Sequence, residues 1–201
     1  MRNLIKSFSY IFHPMLMPLV GTLIYFDISP KFIPEPYLYA KLMAVVILTI
    51  FVPIMFYFLL RNLGKVDSIF LKDVEQRRIP LFFQIIFTII IVKLIINGYE
   101  FPELYYFFQG ILITATLSLV AALLKYKVSL HMAGICGLLF FVIGMSVHYM
   151  SNLLLLVAIL SFAVGAVATS RLAVGAHNKK ELLVGALLGF LPQMALFILW
   201  L

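Results

Sequence analysis

The stretch MAGICGLLFFVIGMSVHY, from Met132 to Tyr149, contains no Asp, Glu, Lys or Arg and is apolar around the whole circumference of any helix drawn on it. A helical membrane span needs about 20 such residues. Comparable runs lie near Tyr39 to Leu60, Leu81 to Ile96, Tyr105 to Leu124, Leu153 to Ala168 and Leu182 to Leu201. Helices are preferred to strands because the runs are long and lack the alternation of polar and apolar residues that a barrel needs. The N-terminal MRNLIKSFSYIFHPMLMPLVGTLIYF is basic at its head and apolar in its body, with Pro14 and Pro18 interrupting it. No small-x-small cleavage site follows, so it reads as a retained first span and brings the expected number to six or seven.

The composition agrees with this reading. The chain has 201 residues, 64% apolar and 11% charged, against roughly 45–50% and about 25% in soluble domains. Residues 1–201 are therefore expected to form a single integral membrane domain, an all-α helical bundle. Cys136 is the only cysteine, which excludes an internal disulfide and CxxC chemistry. Seven spans sort the connections onto two sides. One side collects twelve of the fifteen Lys and Arg residues, and Lys31, Lys41 and Lys93 make up the rest. Setting aside the four cations Lys72, Arg77, Arg78 and Arg171 as candidate ligand binders leaves eight against three. By the positive-inside rule that side is cytoplasmic.

Three loops on this side carry polar chemistry: LKDVEQRRIP (Leu71 to Pro80), KVSLHMAG (Lys127 to Gly134) and SRLAVGAHNKKE (Ser170 to Glu181). They supply Lys72, Arg77, Arg78 and Arg171 as cations, Ser129 as a hydroxyl, His131 and His177 as imidazoles and Glu181 as a carboxylate. Phosphoryl transfer needs cations around the equatorial oxygens, an in-line nucleophile and an acid for the leaving oxygen. Two imidazoles can divide the last two tasks near neutral pH. Glu181 lies four residues after His177, so on a helix it shares a face with it and can fix its tautomer.

Ser170-Arg171, five residues, His177, three residues, Glu181 resembles the third signature of the type 2 phosphatidic acid phosphatase family, S-R-x5-H-x3-D. Ser129-Leu130-His131 is similar to the second, P-S-G-H, reduced to its serine and histidine. Lys72 to Pro80 resembles the first, K-x6-R-P, with one residue fewer between Lys and Arg and with Ile79 inserted before Pro80. The resemblance implies a membrane lipid phosphatase without cofactor or metal. In it His177 is the nucleophile, His131 the general acid and Glu181 the group that orients His177. Arg171, Ser129, Lys72 and one of Arg77 or Arg78 would bind phosphate. The family's active sites face outward from the cytoplasmic membrane, opposite to the side given by the charge count. Val128 and Leu130 replace the signature Pro and Gly, and a leucine cannot adopt glycine's left-handed conformations cheaply.

Each residue also has a plainer reading. Ser129 can be the N-cap of the span that follows. Arg171 can reach lipid headgroups from a helix end, and Lys72, Arg77 and Arg78 can form a juxtamembrane segment attracted to anionic lipid. His13 and His148 belong to no cluster in the sequence and read as structural. A zinc site from His131, His177 and Glu181 is disfavoured by the surrounding cations. The expected partners are the bilayer and a membrane lipid phosphate, with no nucleic acid. The rival function is an inactive relative or transport protein that holds a phosphorylated lipid without cleaving it.

Overall fold

The computed structural model describes residues 2–67 and 73–201, with side chains from Ser7 onward, so Lys72 lies outside the described residues. Among these the chain is all helical, with no strand. Six helical stretches are long and apolar enough to cross a membrane: Glu35–Asn62, Glu75–Ile95, Pro102–Leu123, Leu130–His148, Leu154–Ala173 and Lys179–Phe197. The protein is a multi-pass membrane bundle.

The N-terminal segment is the exception to the expected spans. It is two short helices, α1 (Arg2–Ile11) and α2 (Met17–Ile28). Pro14 lacks the N–H that a continuing helix needs and pushes His13 before it out of the helical region. Pro18 is tolerated because it sits in the first turn of α2, where N–H groups have no partner in any case. With 12 residues α2 is about 18 Å long, well short of a hydrocarbon core of about 30 Å.

The remaining elements are α3 (Glu35–Val46) and α4 (Val52–Asn62), joined by a π-turn at Ile47–Phe51 just before Pro53, then α5 (Arg78–Ile90), α6 (Pro102–Leu123), α7 (Leu130–His148), α8 (Leu154–Ala173) and α9 (Lys179–Phe197). The most buried of the six spans is α7. Its closest neighbour is α9, because Gly185 and Gly189 present no side chain to it. A Cβ at either would run into the carbonyl of Ser129 or Ala133. Small residues four apart let two backbones approach in this way.

The far end of the bundle holds a buried carboxylate. Glu103, in the first turn of α6, accepts hydrogen bonds from the hydroxyls of Tyr25 (3.0 Å) and Tyr149 (2.8 Å). It also lies 3.4 Å from Lys31 Nζ and 3.2 Å from His148 Nε2. His148 is therefore one member of a structural cluster rather than an isolated side chain. The opposite end gathers the α4–α5, α6–α7 and α8–α9 connections.

Candidate active site

The α8–α9 connection shows why five residues separate Arg171 from His177. Helix α8 closes with Ala176 N–H donating to Arg171 O (3.1 Å) and Gly175 N–H to Leu172 O (3.0 Å). Gly175 has φ +64°, the left-handed conformation that this closure demands and that glycine adopts without strain. The chain reverses there, and Asn178 starts α9 by accepting from Glu181 N–H (2.9 Å). The cap amide also donates to Glu181 Oε1 (3.0 Å), while the other carboxylate oxygen, Oε2, stands 2.6 Å from His177 Nδ1. A carboxylate only accepts, so Nδ1 carries the proton and Nε2 keeps its lone pair. Burial holds the His177 pKa down at about 4 against the opposing pull of the Glu181 bond, and Arg77 and Arg171 add to the depression. The ring is neutral at pH 7.

The second and third loops are stitched together. Ser129 N–H donates to Glu181 O (3.2 Å), so the start of α7 rests on the start of α9. Their shared surface borders a cavity of about 520 Å³, lined by Arg77, Arg171, His131 and His177 at the end of the bundle where the three connections gather. Farther along the helices the wall is mainly apolar, with Ala115, Ile111 and Phe107 of α6, Leu138 of α7 and Ile54 of α4, interrupted by Gln84, Thr114 and Gln193. From Ser118 to Phe107 it follows α6 for about 16 Å.

Both cavity arginines are buried, Arg171 to 5% and Arg77 to 7% exposure. Arg77 donates through Nη1 to Val128 O (2.8 Å). Arg171 forms no ion pair among the described residues. Its one hydrogen bond there is a long contact from Nη1 to Ser9 Oγ (3.5 Å), and its Nε has no partner among them. A buried cation without a counter-charge is unfavourable and favours binding of an anion.

The other sequence candidates separate. Arg78, the neighbour of Arg77, does not line the cavity. Its Nε donates to Ala122 O (3.2 Å), and its Nη2 lies 3.7 Å from Glu75. One residue is about 100° of helix, so the two arginines brace the α6–α7 connection from different sides and only Arg77 faces the cavity. Ser129 is fully buried, accepts from Met132 N–H (3.5 Å) as the cap of α7, and is not part of the cavity lining. Its observed contact is thus the plain capping one. His131 donates from Nε2 to Ser9 O (3.0 Å), which leaves Nδ1 as its remaining nitrogen.

Three contributors were not read from the sequence. Ser9, on α1, touches Arg171, shares a hydrogen bond with Ser170 (2.7 Å) and takes the His131 proton on its carbonyl. His13, read from sequence as structural, lines the same cavity. Lys127 lies near enough to the site for its charges to act on it: burial, then Arg77, holds its ammonium pKa below the ordinary value. Among the described residues no three His, Cys, Asp or Glu side chains are grouped to hold a metal ion. No family model matches the chain, and no curated protein or solved structure is significantly similar to it.

Proposed function

We propose that this protein is a membrane lipid phosphatase that hydrolyses a phosphate monoester or diphosphate through a phosphohistidine. One observation carries the reading: buried cations and an imidazole oriented by a carboxylate line one end of a cavity whose remaining wall is mainly apolar. A phosphate headgroup suits the first part and an acyl or prenyl chain the second. Such a ligand, already concentrated and oriented in the bilayer, needs little additional ordering to react.

In this reading His177 Nε2 forms a bond to phosphorus as the bond to the lipid oxygen breaks. The electron pair leaves with that oxygen, which takes a proton from His131 Nδ1, the ring having received it from the bound monoanionic phosphate. Water then attacks phosphorus, the P–N bond breaks, and His131 takes up the water's proton and passes it to the departing orthophosphate, which restores both rings. Arg171 and Arg77 hold the equatorial oxygens. The similarity to the type 2 phosphatidic acid phosphatase signatures supports the same assignment.

The test is release of orthophosphate by purified protein from a panel comprising phosphatidate, phosphatidylglycerophosphate and a polyprenyl diphosphate. Release by the wild type and none by His177→Ala is expected. Tight binding without release would instead make the protein a carrier of phosphorylated lipids.

A further inference from the structure

The N-terminal segment lies outside all three signature loops, yet it brings an imidazole to the cavity. Pro14 ends helical continuity immediately after His13, and the ring is held in the break between α1 and α2. It stands edge to face with His131, with centroids 5.2 Å apart and planes at 83°. Arg77, Arg171 and His177 line the same cavity.

The tautomer of His13 follows from its one hydrogen bond. Met15 N–H points at His13 Nδ1 (3.3 Å), and a backbone N–H can only donate. Nδ1 is therefore the acceptor, and the neutral ring carries its proton on Nε2. No described residue accepts that proton. Burial, and then the nearby Arg171 charge, lowers the ring's pKa from its ordinary value, which favours the neutral form. The neutral His13 is thus an N–H donor with no acceptor among the described residues, in a cavity whose buried Arg171 also has an N–H without a partner among them.

We propose that His13 is a third imidazole of the phosphate site, binding a phosphoryl oxygen through Nε2–H. It acts as a ligand-binding residue and exchanges no proton, since a neutral donor that gave its proton away would become an imidazolate. The proposal rests on the phosphatase reading for the identity of the ligand and on the ring geometry for the contact.

Two substitutions separate the two nitrogens. His13→Asn keeps a polar acceptor near the Nδ1 position and falls short of Nε2. His13→Gln reaches the Nε2 position with an N–H and gives up the acceptor for Met15. Binding of inorganic phosphate and of orthovanadate is measured by calorimetry on the full-length protein in detergent, with melting temperature as the control for folding. We expect His13→Asn to melt with the wild type and to bind both anions about tenfold more weakly, and His13→Gln to bind within about threefold of wild type. KM for a hydrolysed lipid phosphate should follow the same order while kcat changes less. Wild-type affinity in the Asn variant, with or without loss in the Gln variant, overturns the proposal. If the wild type binds phosphate but hydrolyses no lipid phosphate, the phosphatase reading fails and the His13 contact is still decided by the same titrations. If the wild type binds neither anion, both fail.

Discussion

The two ends of the bundle each bury charge, and they treat it in opposite ways. At the far end Glu103 is almost inaccessible and is saturated by two tyrosine hydroxyls, a lysine and a histidine drawn from α2, α7 and the adjoining loops. Tyr149 stays protonated to serve it, its pKa pushed up to about 12 chiefly by burial. At the basic end Arg171 is as deeply buried, yet among the described residues it has one long contact to a serine and no partner for its Nε–H. A satisfied buried charge is costly to strip of its partners, whereas an unsatisfied one has hydrogen-bonding capacity to offer an anion. The histidines repeat the contrast: His148 completes a closed network, and His13 offers a donor that no described residue accepts.

The sharpest way to break this comparison is to remove one group from each end and read both activity and stability. His177→Ala should abolish phosphate release, by at least about 10⁴-fold, and remove any acid-labile phosphoprotein, while the helical content is unchanged. Arg171→Met should lower kcat/KM by about 10²- to 10³-fold. It should leave the melting temperature unchanged or raised, because an uncompensated buried cation is lost. Glu103→Ala should do the reverse. Leaving the Tyr25 and Tyr149 hydroxyls without their acceptor costs about 1–3 kcal/mol each, while the turnover of whatever protein remains folded is preserved. A destabilised Arg171 variant, or an inactive but stable Glu103 variant, would erase the distinction.

A smaller effect divides adjacent residues: Arg77→Ala should lower kcat/KM at least about tenfold and Arg78→Ala by less than about threefold, measured side by side. The pH dependence is gentler still. The folded protein holds His177 near pKa 4, below its ordinary 6.5. The unfolded chain therefore binds more protons between these values, and stability falls as the pH drops from about 6.5 to about 4. The acid limb of kcat/KM should lie near the lower figure as His177 loses its lone pair, and denaturation midpoints of His177→Gln should vary less across that window than those of the wild type.

How far the sequence could be read depended on whether a feature was local. The apolar runs announce helices in a bilayer because every backbone group there must be paired within its own segment. The spacing from Ser170 to Glu181 could be read for the same reason: helix closure at Gly175, the Asn178 cap and the i,i+4 reach to Glu181 all lie within twelve residues. Arg77 and Arg78 could not be told apart, because only the phase of α5 against the α6–α7 connection decides which one meets the cavity. Ser9 and His13 were illegible. Their partners lie more than a hundred positions along the chain, and nothing in a spacing records that Pro14 bends the N-terminal segment back to the cavity. The break in the N-terminal segment was hidden for a related reason: hydropathy registers apolar residues and overlooks the missing N–H of a proline.

Gly185 and Gly189 have a mechanical consequence. Since α9 rests directly on the backbone of α7, the mount that carries His177 and the one that carries His131 are fastened together without slack. Prying them apart would forfeit the tightest seam in the molecule. On the lipid phosphatase reading, entry of a long hydrocarbon tail is therefore expected on the opposite flank of the cavity, between α4 and α5, where Ile54, Tyr57 and Phe87 line it.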